Sequence, residues 1–425
     1  MKTLTTAACL LLCATACGQD IRSYVMANTV PVATLDATAA ADDYADLAAV
    51  GQAIGEARVV MLGEQDHGDG PAFQAKTRLV KYLHERKGFT VLAFESDFYG
   101  LTTGWDQLAK QPDSIQYFLQ RNIFSLWTRS ADCRYLFEQY IPQSFQTANP
   151  LHLSGFDSQH YLGYSYLHLR TDLDRYLVSA GIANQFPSPA AYQQFLAAVQ
   201  GRIAEMRTPG AFRPDMRKPL KDGLQLVSQA QLAAHDTSAW PLVIEGIRAF
   251  SLEERVPSEW ARDKAMADNL KFLLTTRYKD AKIIVWAANQ HIMKRTDQLP
   301  KGQKVDLILR NKMGTYFTRD PQWAKQTYVL GFASYQGTSG RLGGASYPVQ
   351  APDQNGLENW VPMGLAYGFL DFTAYNKQFN SPSAPFLLKS PSHYTIPARF
   401  APIPWNLVYD GLFFIREMQA TKKSE

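Results

Sequence analysis

The chain has 425 residues, 46% of them hydrophobic and 19% charged, with a formal net charge of +4. It can bury a large core, as one big domain or two. With no basic block, and with aromatics not interleaved among Arg and Lys, nucleic acid is excluded as an expected partner.

The first stretch, MKTLTTAACLLLCATACGQD, has one lysine, a short apolar run and small residues before a cysteine. It reads as an export signal, too short to span a membrane. Ala14-Thr15-Ala16 suits ordinary cleavage. With Cys17 the same triplet resembles a lipoprotein box, although Ala14 stands where leucine is usual. The reading adopted is a leader over 1–17, a lipid on Cys17 and attachment to the membrane through it. Cys9, Cys13 and Cys17 all fall in the leader, so Cys133 is alone and no intrachain disulfide is expected.

Residues 18–40 read as a flexible tether, followed by one α/β domain over 41–420 and a charged tail over 421–425. A first helix falls within residues 35–57. Apolar runs at 57–62, 89–95, 151–156, 281–286 and 327–334 read as buried strands. PAFQAKTRLVKYLHERKG reads as a helix, with Pro71 at its start and Gly88 as its C-cap. Phe73, Lys76, Val80 and Leu83 share its inward face. Residues 162 to about 280 lack convincing strands and read as a helical lobe. Its last helix aligns Arg262, Met266, Asn269 and Leu273 on one face. YGFLDF begins a further strand or helix. The fold class expected is α/β, a mostly parallel central sheet flanked by helices, with the lobe covering a cleft at the strand ends.

Four strands run into polar clusters: Glu64-Gln65-Asp66-His67, Glu95-Ser96-Asp97, Asp157-Ser158-Gln159-His160 and Asn289-Gln290-His291. Ligands of parallel sheets sit outside the carboxyl ends of the strands, so these clusters point to one shared site. Glu64 and His67, three apart, suit a carboxylate that raises the basicity of an imidazole, as water activation requires. Gly63 and Gly68 flank them, allowing unusual backbone angles and close substrate approach. Glu95 ends an apolar strand, where an unpaired carboxylate is costly, and is either a site residue or one half of a structural salt bridge with Lys76 or Arg262. Lys76 is a snorkelling lysine or a site residue. Asp157 marks a site or an ordinary turn, and His291 ends the fourth strand. His160 and His168 read as surface or lobe residues. There is no Gly-x-Ser-x-Gly elbow, Walker loop, dinucleotide fingerprint or His-Glu-x-x-His, and no cofactor is called. Glu64, His67, Glu95 and His291 could hold a metal, but water activation by a Glu–His pair does not require one.

The segment VVMLGEQDHGDGPAFQAKTRLVKYLHERKGFTVLAFESD resembles the opening signature of the erythromycin esterase family. ARDKAMADNLKFLL resembles the family's Arg-Asp helix, and KIIVWAANQHI its strand end. Weaker echoes extend the resemblance over residues 50–418. It implies an α/β fold with a helical lobe over a deep cleft, and hydrolysis of an ester by water without a covalent serine intermediate. Glu64, His67, Glu95 and His291 fall on active-site positions, with His67 as the base, and Arg262 falls on the helix motif. Lys76, Asp157, Arg262 and Asn289 are the expected substrate-binding residues. The chain departs from the family at Ala288, where a histidine is usual, at Pro71 for a glutamate, and at Lys76 for an arginine in some members. The rival readings are a non-catalytic binding protein on the same fold and a metal-dependent hydrolase.

If Cys17 carries two or three acyl chains, the protein will partition with membranes and Cys17→Ser will release it, because a single chain binds only marginally. Fractionation of the two forms reads this directly; equal retention would refute the anchor.

Overall fold

The computed structural model describes residues 20–39, 41–251, 258–298, 311–379, 385–389 and 402–424. The expected leader and Cys17 lie outside them. Nine strands form one sheet: β1 (Val30–Val32), β2 (Val59–Leu62), β3 (Phe89–Asp97), β4 (His152–Asp157), β5 (Lys282–Trp286), β6 (Thr327–Ser339), β7 (Tyr347–Pro348), β8 (Tyr367–Asp371) and β9 (Gly411–Met418). Their order is β1-β8-β9-β6-β2-β5-β3-β4, with β7 hydrogen-bonded to β6. From β9 to β4 every pairing is parallel, whereas β8 runs antiparallel to β9 and β1 antiparallel to β8. The expected mostly parallel sheet is what forms.

Burial on both faces explains why the central strands are uniformly apolar. Val59 and Met61 of β2 enter one core, and Val60 and Leu62 enter the other. The principal helices are α1 (Ile21–Asn28), α2 (Ala48–Ile54), α3 (Gly70–Lys87), α4 (Pro112–Asn122), α5 (Gly163–Ser179), α6 (Pro189–Glu205), α7 (Arg217–Ala233), α8 (Trp240–Ser251) and α9 (Ser258–Phe272). Pro71 occupies the first turn of α3, and Gly88 caps it in the left-handed region at φ 73°. Between 162 and 280 the described residues hold helices and no strand. Leucines of α5, Phe195 and Leu196 of α6, Leu224 of α7 and Ile244 of α8 share the core on that face of the sheet. β2, β5, β3 and β4 are neighbours, so the four polar clusters collect at one edge.

The tether expected over 18–40 is corrected. Residues 21–28 form α1, with Ile21, Tyr24 and Val25 buried, and β1 extends the sheet. The physical reason is distant packing: Tyr24 meets the Tyr375 ring at 5.0 Å and donates to Asp371 O (2.9 Å), β1 pairs with β8, and a buried arginine clamps the stretch that follows. Arg78 on α3 donates to both carboxylate oxygens of Asp42 (2.7 and 2.9 Å), to both of Asp46 (2.7 and 2.8 Å) and to Thr34 O (2.9 Å). The tail expected over 421–425 is packed as well: Thr421 is buried, and Lys423 bridges Ser130.

Arg78→Ala will cost about 3–5 kcal/mol, as removal of one partner from a buried ion pair does, read by urea denaturation. The Arg78 hydrogen bond lowers the Asp42 pKa; at Asp46 burial acts upward, but the Arg78 hydrogen bond and charge together with backbone N–H donors outweigh it. Depressed carboxylates stabilise above their unfolded pKa near 3.9 and lose that contribution as pH falls through the folded value. The clamp will therefore weaken only in acid, below the ordinary carboxylate range.

Candidate active site

Strand β2 ends at Leu62, and the following turn carries Gly63, Glu64 and His67 before α3 begins. Neither glycine has a positive φ. Of the two freedoms a glycine offers, it is close approach that is used, and by the protein's own groups. A Cβ on Gly63 would fall 2.0 Å from Asn289 Oδ1, and one on Gly68 would fall 2.4 Å from the Gly340 carbonyl carbon.

Glu64 is fully buried and held from three sides. Its Oε1 accepts from Trp127 Nε1 (3.0 Å) and lies 2.7 Å from His67 Nδ1, while Lys76 Nζ donates to Oε2. The Trp127 ring meets the His67 ring edge-on, with centroids 5.3 Å apart. Burial pulls the His67 pKa down, but the Glu64 hydrogen bond and the charges of Glu95 and Glu64 outweigh it, and the net shift is upward. Lys76 has no exposed surface, so it does not snorkel. It also donates to Ala287 O (3.2 Å) and lies 4.2 Å from the centre of the Trp286 ring. Burial lowers its pKa, opposed by Glu64.

Glu95 accepts from Arg262 Nη2 (2.9 Å) and from the Ala288 N–H (2.9 Å), and its Oε1 lies 3.3 Å from His291 Nε2. Burial would raise its pKa, yet the charges of His291, His67 and Arg262 push it down to about 2. Of the two cations considered for Glu95, Arg262 is the partner. Arg262 also forks onto Asp157, Nε to Oδ1 at 3.0 Å and Nη2 to Oδ2 at 2.6 Å. Burial disfavours its charge, but Asp157 and Glu95 more than compensate, so the guanidinium stays protonated.

Asp263, the next residue on α9, was not singled out from the sequence. Its Oδ1 lies 2.8 Å from His291 Nδ1 and accepts from the Met313 N–H at 2.7 Å. Lys312 Nζ stands 3.8 Å from Oδ2. Two carboxylate–imidazole pairs, Glu64–His67 and Asp263–His291, therefore flank Glu95, whose charge acts on both rings. The only signal in the sequence was Asp263's place beside Arg262. Trp127 gave none beyond an aromatic-rich segment.

Three of the expected substrate-binding residues have other functions. Lys76 and Asp157 are sealed and serve Glu64 and Arg262. Asn289 has its amide consumed by one residue of β6, donating to Phe332 O (2.7 Å) and accepting from Phe332 N–H (2.9 Å). Only Arg262 keeps a partly exposed side chain. His160 is corrected too: it is buried, with Nδ1 3.1 Å from Asp97 Oδ1. His168 is exposed. Among the described residues, no group of three His, Cys, Asp or Glu side chains converges as a metal would require.

An α/β fold with two carboxylate–imidazole pairs at the ends of parallel strands is an arrangement able to accept and donate protons. The model of the family described as erythromycin esterase matches residues 84–384, more than half of the chain, and the chain belongs to that family. It is also similar to the Bacillus subtilis (strain 168) protein named "Putative hydrolase YbfO", at 28% identity over 307 residues. The match covers 66% of each, so the chain spans just under two thirds of that relative's length. Solved structures share the fold. A succinoglycan biosynthesis protein superposes with a TM-score of 0.68 at 18% identity, covering 94% of this chain and 97% of that one. A mutant of the erythromycin esterase EreC, in its open conformation, gives 0.65 at 14%, covering 93% and 98%.

Asn289→Ala will destabilise the protein by about 1–3 kcal/mol for each Phe332 backbone group left unpaired. Denaturation midpoints will register this, and an unchanged midpoint would return Asn289 to the ligand-binding set.

Proposed function

We propose that the protein hydrolyses an ester with water activated by His67 and without a covalent serine intermediate. The observation that carries this reading is the 2.7 Å contact between His67 Nδ1 and buried Glu64. That contact places the ring proton on Nδ1 and leaves the Nε2 lone pair as the base. A water bound at Nε2 gives up its proton as its oxygen attacks the acyl carbon. Glu64 stabilises the imidazolium that results, itself fixed by Lys76 and Trp127.

Arg262 is suited to the oxyanion. Its Nε and Nη2 are engaged by Asp157 and Glu95, whereas among the described residues Nη1 is recorded beside His291 Nε2, at 3.5 Å. The His67 imidazolium returns that proton to the departing alkoxide as the acyl–oxygen bond breaks, while His291, oriented by Asp263 through Nδ1, stands beside Arg262 to help polarise the carbonyl. The carboxylates that a metal would need are already matched by cations, Glu64 by Lys76 and Glu95 by Arg262. We further propose export and anchoring through Cys17, on the strength of the leader.

A binding protein on the same fold is the second reading, and Ala288 favours it. Where the resemblance places a histidine, this chain has a methyl group and offers only its N–H, to Glu95. The missing imidazole also argues against macrolide esters as substrates.

His67→Ala will lower turnover of whichever ester a panel identifies by about a hundred- to ten-thousand-fold, the range of general-base catalysis, with the melting temperature preserved. Glu64→Gln will also be severe. Only the neutral ring accepts a proton and the His67 pKa is raised, so kcat/KM will climb with pH through a value above the usual histidine range near 6.5. Unchanged rates in the His67 variant would hand the site to the binding-protein reading.

A further inference from the structure

The charges of the site are arranged by depth. The side chains of Glu64, Asp66, Asp157 and Asp263 have no exposed surface, and Glu95 has 3%. Lys76 and Lys312 are sealed with them. What the network turns toward solvent is His67 at 18%, Arg262 at 23% and Arg341 at 43%. Every buried carboxylate has a cation beside it, Lys76 at Glu64, Arg341 at Asp66, Lys312 at Asp263, and Arg262 shared by Glu95 and Asp157. An incoming ligand therefore meets N–H donors and guanidinium charge, with almost no carboxylate oxygen.

Arg341 is placed by the backbone. It lies on the loop between β6 and β7, and that loop rests on the catalytic turn, where a Cβ on Gly68 would strike the Gly340 carbonyl carbon. Asp66, the residue before His67, grips the guanidinium through Nε at 3.0 Å and Nη2 at 3.3 Å. The charge of Arg341 is felt at His67, where it opposes protonation. Beyond His67 the wall is aromatic. The Trp127 and Phe124 ring centres are 6.2 Å apart, those of Phe124 and Tyr161 5.9 Å, and the last two rings are partly exposed.

We propose that this site takes esters of ring-bearing molecules that also carry a carboxylate, and that Arg341 receives that carboxylate. The inference rests on the hydrolase reading above. A guanidinium fork matches a planar carboxylate geometrically. One guanidinium already shared with Asp66 suits a monoanion, because five carboxylates lie behind the surface. The Phe124–Tyr161 wall then receives the ring, and the ester is left between His67 Nε2 and Arg262.

The test compares 4-acetoxybenzoate with its uncharged methyl ester on the full-length wild type, Arg341→Gln and Arg341→Lys. Their melting temperatures confirm folding. Wild-type kcat/KM should favour the charged ester by about tenfold or more, the size of a charge-assisted hydrogen bond. The ratio should fall toward one in Arg341→Gln, remain intermediate in Arg341→Lys, and shrink in high salt. Calorimetry with 4-hydroxybenzoate reads the anion subsite without turnover and should show about tenfold weaker binding in Arg341→Gln. A wild type that prefers the methyl ester, or a ratio and affinity indifferent to Arg341, would overturn the inference. If His67→Ala abolishes hydrolysis of both esters while no charge preference exists, the hydrolase reading stands and this one falls. If the wild type cleaves neither ester, that failure belongs to the hydrolase reading, and the 4-hydroxybenzoate titration alone decides for or against Arg341.

Discussion

Arg262 is the group on which the site depends. Glu95 and Asp157 lie on adjacent strands of the sheet and are buried, and neither could remain charged there without a cation. A single guanidinium on α9 satisfies both, with two N–H groups on Asp157 and one on Glu95. The same contacts tie the last helix of the lobe to the sheet edge. Asp263 follows on the helix and fixes His291, so one turn of α9 organises half of the acid–base machinery.

The other half is organised by burial of a different kind. Lys76 lies in the interior of α3 with no exposed surface, on the face of Trp286 and against Glu64. A lone lysine in that position would be destabilising; as the partner of Glu64 it neutralises a carboxylate that must stay beside His67. Trp127 adds a neutral donor and a ring wall. The catalytic turn is thus compressed between α3, β5 and the aromatic segment, and Gly63 and Gly68 are the residues small enough for its neighbours to approach.

The division between buried carboxylates and partly exposed cations has a chemical consequence. Acid groups behind the rings hold the imidazoles in place, while the guanidinium groups remain nearer the surface, which is the arrangement the proposed oxyanion and carboxylate contacts require. A site of the same composition with its carboxylates outward would repel an oxyanion. Depth, not composition, gives this one its polarity.

The sequence by itself determined the parallel strands, their polar ends, the lobe helices and the Glu64–His67 pairing. These rest on local periodicity and on contacts three residues apart, which the covalent chain dictates. It also brought Arg262 and Glu95 into consideration, because a buried carboxylate demands a cation. Only the tertiary structure decided which cation served which acid, that Asp263 meets His291 while the Asn289 amide is spent on Phe332, and that His160 was buried against Asp97. It also turned the supposed tether into α1 and β1, through pairing with β8 and a Tyr24 contact to Asp371, more than three hundred residues away. Such pairings depend on distances across the fold, and a one-dimensional pattern of polar and apolar residues carries no information about which charged groups meet once the core closes.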